Sequence, residues 1–196
     1  MSKKGILIVI AMISACLVGS VFLVSSEDAQ GAAMVSACDA LTKSQMKSPS
    51  TYKMLDSLFE IKKVNKEHIS AKLKQIDNDA ISQGVTKGYF SLSEGKAFVD
   101  FEAQNSFGVP LKGTTQCNFN IYADSWASLE SATVGDRDVS MADIIITSSE
   151  HKVDSGFSSK LKYLKLKILQ KNLIYTQPKP ANVRVFCFLE TTDGRR

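Results

Sequence analysis

Histidine is scarce in this chain: there are two in 196 residues, His68 and His151, and neither lies beside a cysteine. That leaves little for a structural zinc site, which needs four Cys or His ligands at set spacings. It leaves equally little for a Cys–His nucleophile pair. No Cys-x-x-Cys occurs, and the Walker and dinucleotide glycine patterns are absent. Asp77, Asn78 and Asp79 form an acidic knot without the EF-hand spacing that calcium needs. Ser44-Gln45-Met46-Lys47 fits the Ser-x-x-Lys pattern of penicillin-binding enzymes, but the partner motifs Ser-Asp-Asn and Lys-Thr-Gly are missing. The net charge is only +4, short of the dense basic clustering of a nucleic-acid binder. The reading is therefore a non-enzymatic protein with no catalytic residue, no cofactor, no metal and no nucleic-acid partner.

What the chain does have is one long apolar run near its start. Residues Gly5 to Val24 carry no charge, and twelve of these 20 are Ile, Leu, Val or Phe. At about 1.5 Å per residue a helix of that length spans roughly 30 Å, the hydrocarbon thickness of a bilayer. Lys3 and Lys4 precede the run, and Glu27 and Asp28 follow it. Positive charge stays inside, so residues 1–4 are expected in the cytoplasm, 5–24 as a single-pass transmembrane helix, and 34–196 as an extracytoplasmic (in a bacterium, periplasmic) domain. Residues 25–33, small and polar, read as a tether. Two rival readings keep the domain outside. The run could be a signal peptide cleaved near Ala29-Gln30-Gly31-Ala32-Ala33. Alternatively, Ile13-Ser14-Ala15-Cys16 resembles a lipobox whose cysteine takes a lipid. Ala11, Ala15 and Gly19 fall on one helix face, where a second copy could approach closely and form a homo-oligomer.

Past the tether, Met34 to Lys47 has helical spacing, and Pro49 ends it. Thr51–Asn65 reads as a strand. Lys66–Ile81 fits a helix or a long strand. Val85–Leu92 reads as a strand ended by a Ser93-Glu94-Gly95 turn, and Lys96–Asn105 as the next, with Phe98 out of place on its polar face. Residues 114–123 alternate as a half-buried antiparallel strand. Asp124–Asp138, with the single tryptophan Trp126, reads as a loop, and Val139–His151 as a helix. Phe157–Tyr175 is undecided between helix and strand. Val183–Glu190 reads as a strand covered on both faces. The expected class is α+β: one domain with its first helix packed on an antiparallel sheet.

Three of the four cysteines, Cys38, Cys117 and Cys187, lie in the domain. An exported domain permits a disulfide. Cys117 and Cys187 share the apolar phase of expected strands, and that pair would close a loop of about 70 residues, worth roughly 4 kcal/mol in the chain-entropy model. Cys38, on the apolar face of its helix, could pair with either instead.

Lys160, Lys162, Lys165, Lys167 and Lys171 make the one concentrated basic stretch. It reads as a solvated face with a buried apolar counterpart, or as a contact for anionic headgroups or an acidic protein partner.

Two short motifs carry a resemblance. Lys47-Ser48-Pro49-Ser50-Thr51 follows the Cys38 helix, and Ala103-Gln104-Asn105-Ser106-Phe107-Gly108 closes a strand ahead of Cys117-Asn118-Phe119. Over residues 38–120 the chain resembles small secreted or membrane-anchored bacterial and phage proteins of undefined activity. That resemblance bears on fold and compartment. The reading of the whole sequence is an envelope component, of phage, mobile-element or host origin, anchored to membrane lipid and meeting a protein partner. The alternative from the same placement is an enzyme acting close to the membrane on cell wall or a thiol substrate.

Overall fold

The structure is a computed structural model that describes residues 21–76, 78–122 and 126–169. Its order is α1 (Ser26–Ser44), a 3-10 turn (Pro49–Thr51), β1 (Lys53–Lys63), α2 (Lys66–Gln75), α3 (Asp79–Thr86), β2 (Leu92–Gln104), β3 (Pro110–Tyr122), β4 (Ala127–Val134), β5 (Arg137–Asp138), α4 (Met141–Glu150) and α5 (Phe157–Leu169). The five strands form one antiparallel sheet in sequence order, with α1 across its inner face. The α+β class with a first helix on an antiparallel sheet is what the alternation and spacing led us to expect.

The 25–33 tether is corrected. Ser25 is a helix cap: its backbone is extended and its Oγ accepts from Asp28 N at 3.0 Å. Glu27 and Asp28 complement the positive end of α1, and Lys43 its negative end. Ala29 to Val35 are all buried, so the residues that look like a cleavage site are core. Small side chains read as tether because they are weakly hydrophobic; they are small because α1 lies in the middle of the domain. The sheet is on one side of it and α4 and α5 are on others, so apolar burial runs nearly all round the helix.

Glycine marks two points of closest approach. A Cβ on Gly31 would sit within the ring of Phe59 from β1, and one on Gly95 would lie 2.5 Å from Met34 Sδ. Gly95 therefore does not belong to a turn that ends a strand, the sequence expectation, but lies within β2 near its start and lets Met34 press onto it. The main core gathers Met34, Val35, Cys38 and Leu41 against Phe59, Val99, Phe119 and Ile121, with Ile144, Val153 and Leu166 from the far side. Each such side chain contributes about 1.5–3 kcal/mol on burial.

Between β1 and β2 the chain inserts α2 and α3, which resolves the ambiguity at 66–81 as two helices; the strand expected at 85–92 is instead the end of α3, a turn, and the first residue of β2. Asn78 caps α3, its Oδ1 accepting from Ile81 N at 3.2 Å. Ile81 and Val85 close over Leu92 and Tyr122, with Ile69, Leu73 and Ile76 packed beside them. This smaller cluster covers one end of the sheet's outer face. Phe98 lies half-buried between Leu58 of β1 and Gln116 of β3.

The expected loop at 124–138 is corrected as well: most of it is β4 and β5. The register against β3 slips between Asn118, opposite Ser131, and Phe119, opposite Leu129. Glu130 is the extra residue of a bulge, and it breaks the two-residue period by which a strand is read. The helix expected at 139–151 is α4, and 157–169 resolves as helix α5.

Among the described residues no helix is long and apolar enough to cross a membrane. Of the apolar run, residues 5–20, with Ala11, Ala15, Cys16 and Gly19, lie outside the described residues. So do Lys171, Cys187 and the strand expected at 183–190.

Candidate functional site

Cys38 of α1 is bonded to Cys117 of β3, across 79 residues of sequence. Both are fully buried, so the bond fastens helix to sheet from within the core. The Cys117–Cys187 pairing is thus corrected in favour of the Cys38 alternative. Helical spacing puts Cys38 on the face of α1 that meets the sheet, and Cys117 points inward from the paired strand.

The motifs behind the resemblance come together in space. Thr51 Oγ1 donates to Ser48 O at 2.9 Å and accepts from Gln104 N at 3.0 Å, tying the Ser-Pro-Ser-Thr step to the end of β2. The following Asn105 accepts from Phe107 N at 2.9 Å and Val109 N at 3.0 Å, and Gly108 takes φ +77°. These bonds shape the β2–β3 hairpin, whose tip leaves Phe107 exposed. Tyr52, next in sequence, donates its hydroxyl to Asp39 of α1 and tilts against Phe101. Burial first, then the Asp39 hydrogen bond and charge, push the Tyr52 phenol well above its ordinary range.

A polar concavity of about 290 Å³ lies on the outer face of the sheet beside α2. Lys72, Glu94, Lys96, Asn118, Glu130 and Ser131 line it. Lys72 Nζ donates to the two oxygens of Glu130 at 2.9 and 3.1 Å and lies 3.4 Å from Glu94. Burial lowers the Lys72 pKa, but the Glu130 hydrogen bond and charge, then Glu94, outweigh it, so the ammonium ends above its ordinary value. An amine nucleophile or base needs the opposite shift. Chemically this group is a latch holding α2 to the sheet. Sequence reading missed it, because the two glutamates lie on separate strands and one of them is a bulge residue.

The remaining sequence candidates do not converge. Ser44 Oγ donates to Leu41 O at 2.7 Å, as a hydroxyl in the last turn of α1, and Lys47 lies beyond the helix. His68 is exposed on α2; His151, half-buried, lies past α4 beside Thr147, Ser148 and Val153. Of the acidic knot, Asn78 and Asp79 start a helix, and Asp77 lies outside the described residues. No group of three His, Cys, Asp or Glu that could hold a metal occurs among the described residues.

The lysine stretch takes a form that sequence reading did not anticipate. Lys160 and Lys162 are half-buried on α5, and Lys165 and Lys167 are exposed. Lys167 Nζ lies 5.5 Å over the ring of Tyr163. The helix packs on α1, yet among its residues of described burial only Ser159 and Leu166 are buried. Phe157, Leu161 and Ile168 are 62%, 46% and 79% exposed. The expected buried apolar counterpart is therefore mostly on the surface. α4 does likewise, exposing Met141, Ile145 and Ile146 while burying Ile144 and Thr147.

No protein-family model, curated protein or solved structure matches this chain.

Proposed function

We propose that the chain is a single-pass membrane protein whose extracytoplasmic domain binds or assembles with another protein rather than catalysing a reaction. The observation that carries this reading is the outer face of α4. Met141, Ile145 and Ile146 stand exposed on a rigid helix whose opposite side is fixed to β4 and α1. A preformed apolar surface of this kind suits a protein partner. The buried Cys38–Cys117 bond supports an oxidising compartment. Exposed Phe22 and Leu23, at the end of the uncharged run, suit a membrane boundary. In this reading residues 5–24 are the anchor, and Ala11, Ala15 and Gly19 give copies a face for association in the bilayer.

The test is photocrosslinking in intact membranes from a reactive residue placed at 145, compared with one at exposed Lys112 on β3. The reading expects a discrete adduct, to a second copy or to another protein, from position 145 alone. Equal, diffuse labelling from both positions overturns it.

A further inference from the structure

Phe157, Leu161, Leu164 and Ile168 recur at spacings of four, three and four, one stripe along the helix. Phe157, Leu161 and Ile168 are exposed and Leu164 is half-buried. The stripe lies opposite Ser159 and Leu166, which are buried. At about 100° per residue, Lys165 flanks the stripe on one side, and Lys160 and Lys167 flank it on the other. The described helix holds four lysines and no acidic residue. A helix that exposes an apolar stripe between rows of lysine, with no acid to neutralise them, has the pattern of one that lies in a bilayer surface.

We propose that α5 is a second membrane contact. It lies in the plane of an anionic bilayer, with Phe157, Leu161, Leu164 and Ile168 among the acyl chains and Lys160, Lys165 and Lys167 at the headgroups. Charge complementarity selects the occupant. A protein groove for this stripe would need acids on both rims, whereas an anionic lipid surface supplies negative charge in every direction around it. α4, equally apolar but without a cation in its Met141–Glu150 span, lacks that signal.

The fold permits this orientation. α1, on which α5 packs, begins at its own cap, and Ser25 is extended with φ −66° and ψ 158°. The extended Ser25 breaks the helical path between residues 21–24 and α1, so α1 does not continue the axis of the segment before it and can lie along the membrane with α5. Because α5 is already folded against α1, contact carries no folding cost, unlike a peptide that must become helical at the surface. The geometry rests on the anchor reading given above; the lipid affinity of α5 does not.

The experiment uses the full chain in vesicles of phosphatidylcholine with or without phosphatidylglycerol, containing brominated lipid as quencher. Trp126→Phe removes the native fluorophore, and Ile168→Trp places one on the stripe. Flotation with vesicles of phosphatidylcholine alone reports the anchor, and quenching reports α5. Quenching is expected with phosphatidylglycerol and much less without it. Each lysine near an anionic surface is worth about fivefold, so Lys165→Gln with Lys167→Gln should lower the docked-to-undocked ratio about 25-fold. A chain that floats but whose residue 168 is quenched in neither lipid overturns the proposal. So does quenching that appears only after residues 170–196 are deleted, which would mean that those residues cover the stripe. A chain that floats only with phosphatidylglycerol, and is quenched there, defeats the anchor and leaves the α5 contact standing.

Discussion

The ring of Phe59 occupies the space that a side chain on Gly31 would need. Gly31 is a buried residue of α1 and Phe59 a fully buried one of β1, so this contact sets how closely the helix approaches the sheet. Gly31→Ala should gain about 1 kcal/mol in helix propensity, yet lose more by forcing the ring aside. A net destabilisation of about 1–3 kcal/mol is expected, read as a lower urea midpoint at unchanged slope. A midpoint at or above that of the parent chain would contradict this packing.

The Cys38–Cys117 bond closes a loop of 79 residues. In the chain-entropy model that is worth about 4 kcal/mol. Cys38→Ala with Cys117→Ala should lower stability by roughly that amount, and reductant should then leave the double variant unchanged while destabilising the parent. Peptide mapping without reduction should recover residues 38 and 117 in one linked species. A linked species containing Cys187 instead would show a different pairing.

Lys72 and Tyr52 both titrate above their ordinary values in the folded chain. For each, the folded state holds its proton more tightly than the unfolded state. The stability this adds is fully present below the unfolded values, about 10.5 and 10.0, and is lost as pH rises past them. Unfolding followed from pH 8 to 11 should show stability falling above pH 10. Tyr52→Phe should flatten part of that fall; an unchanged profile would remove Tyr52 from it.

The Lys72 latch should act locally. Glu94 and Glu130 keep 47% and 34% of their side-chain surface exposed, so solvent screens the pair, and it is worth about 1 kcal/mol or less. Lys72→Met should speed amide exchange across residues 66–86 and leave exchange in α1 unchanged. Equal acceleration in both regions would show that α2 and α3 do not open separately from the core.

Much of the fold was legible. Strict alternation over Ala97, Val99, Phe101 and Ala103 marks β2, and Cys117, Phe119 and Ile121 mark β3, because one face of each strand is buried. What misled has particular causes. Ser93-Glu94-Gly95 looks like a turn, but the glycine answers to Met34, which only the fold brings near. β4 hides because Ala127, Leu129, Ala132 and Val134 lose their period at Glu130. The start of α1 looks like a tether because close packing between layers selects small residues, the composition that linkers also use. Of the site candidates, the lysines of α5 were visible in order, but periodicity alone cannot say which of two apolar faces is buried. The α4 surface gave no signal: exposed and buried isoleucines look the same in a sequence.

The most direct test of the account concerns the side of the membrane on which the domain lies. Two reporters fused after Arg196, one active only outside the cytoplasm and one only within it, should report the outside when the full chain is produced in a bacterium. Activity of the cytoplasmic reporter alone would contradict the anchor, the compartment and the partner surface assigned to α4.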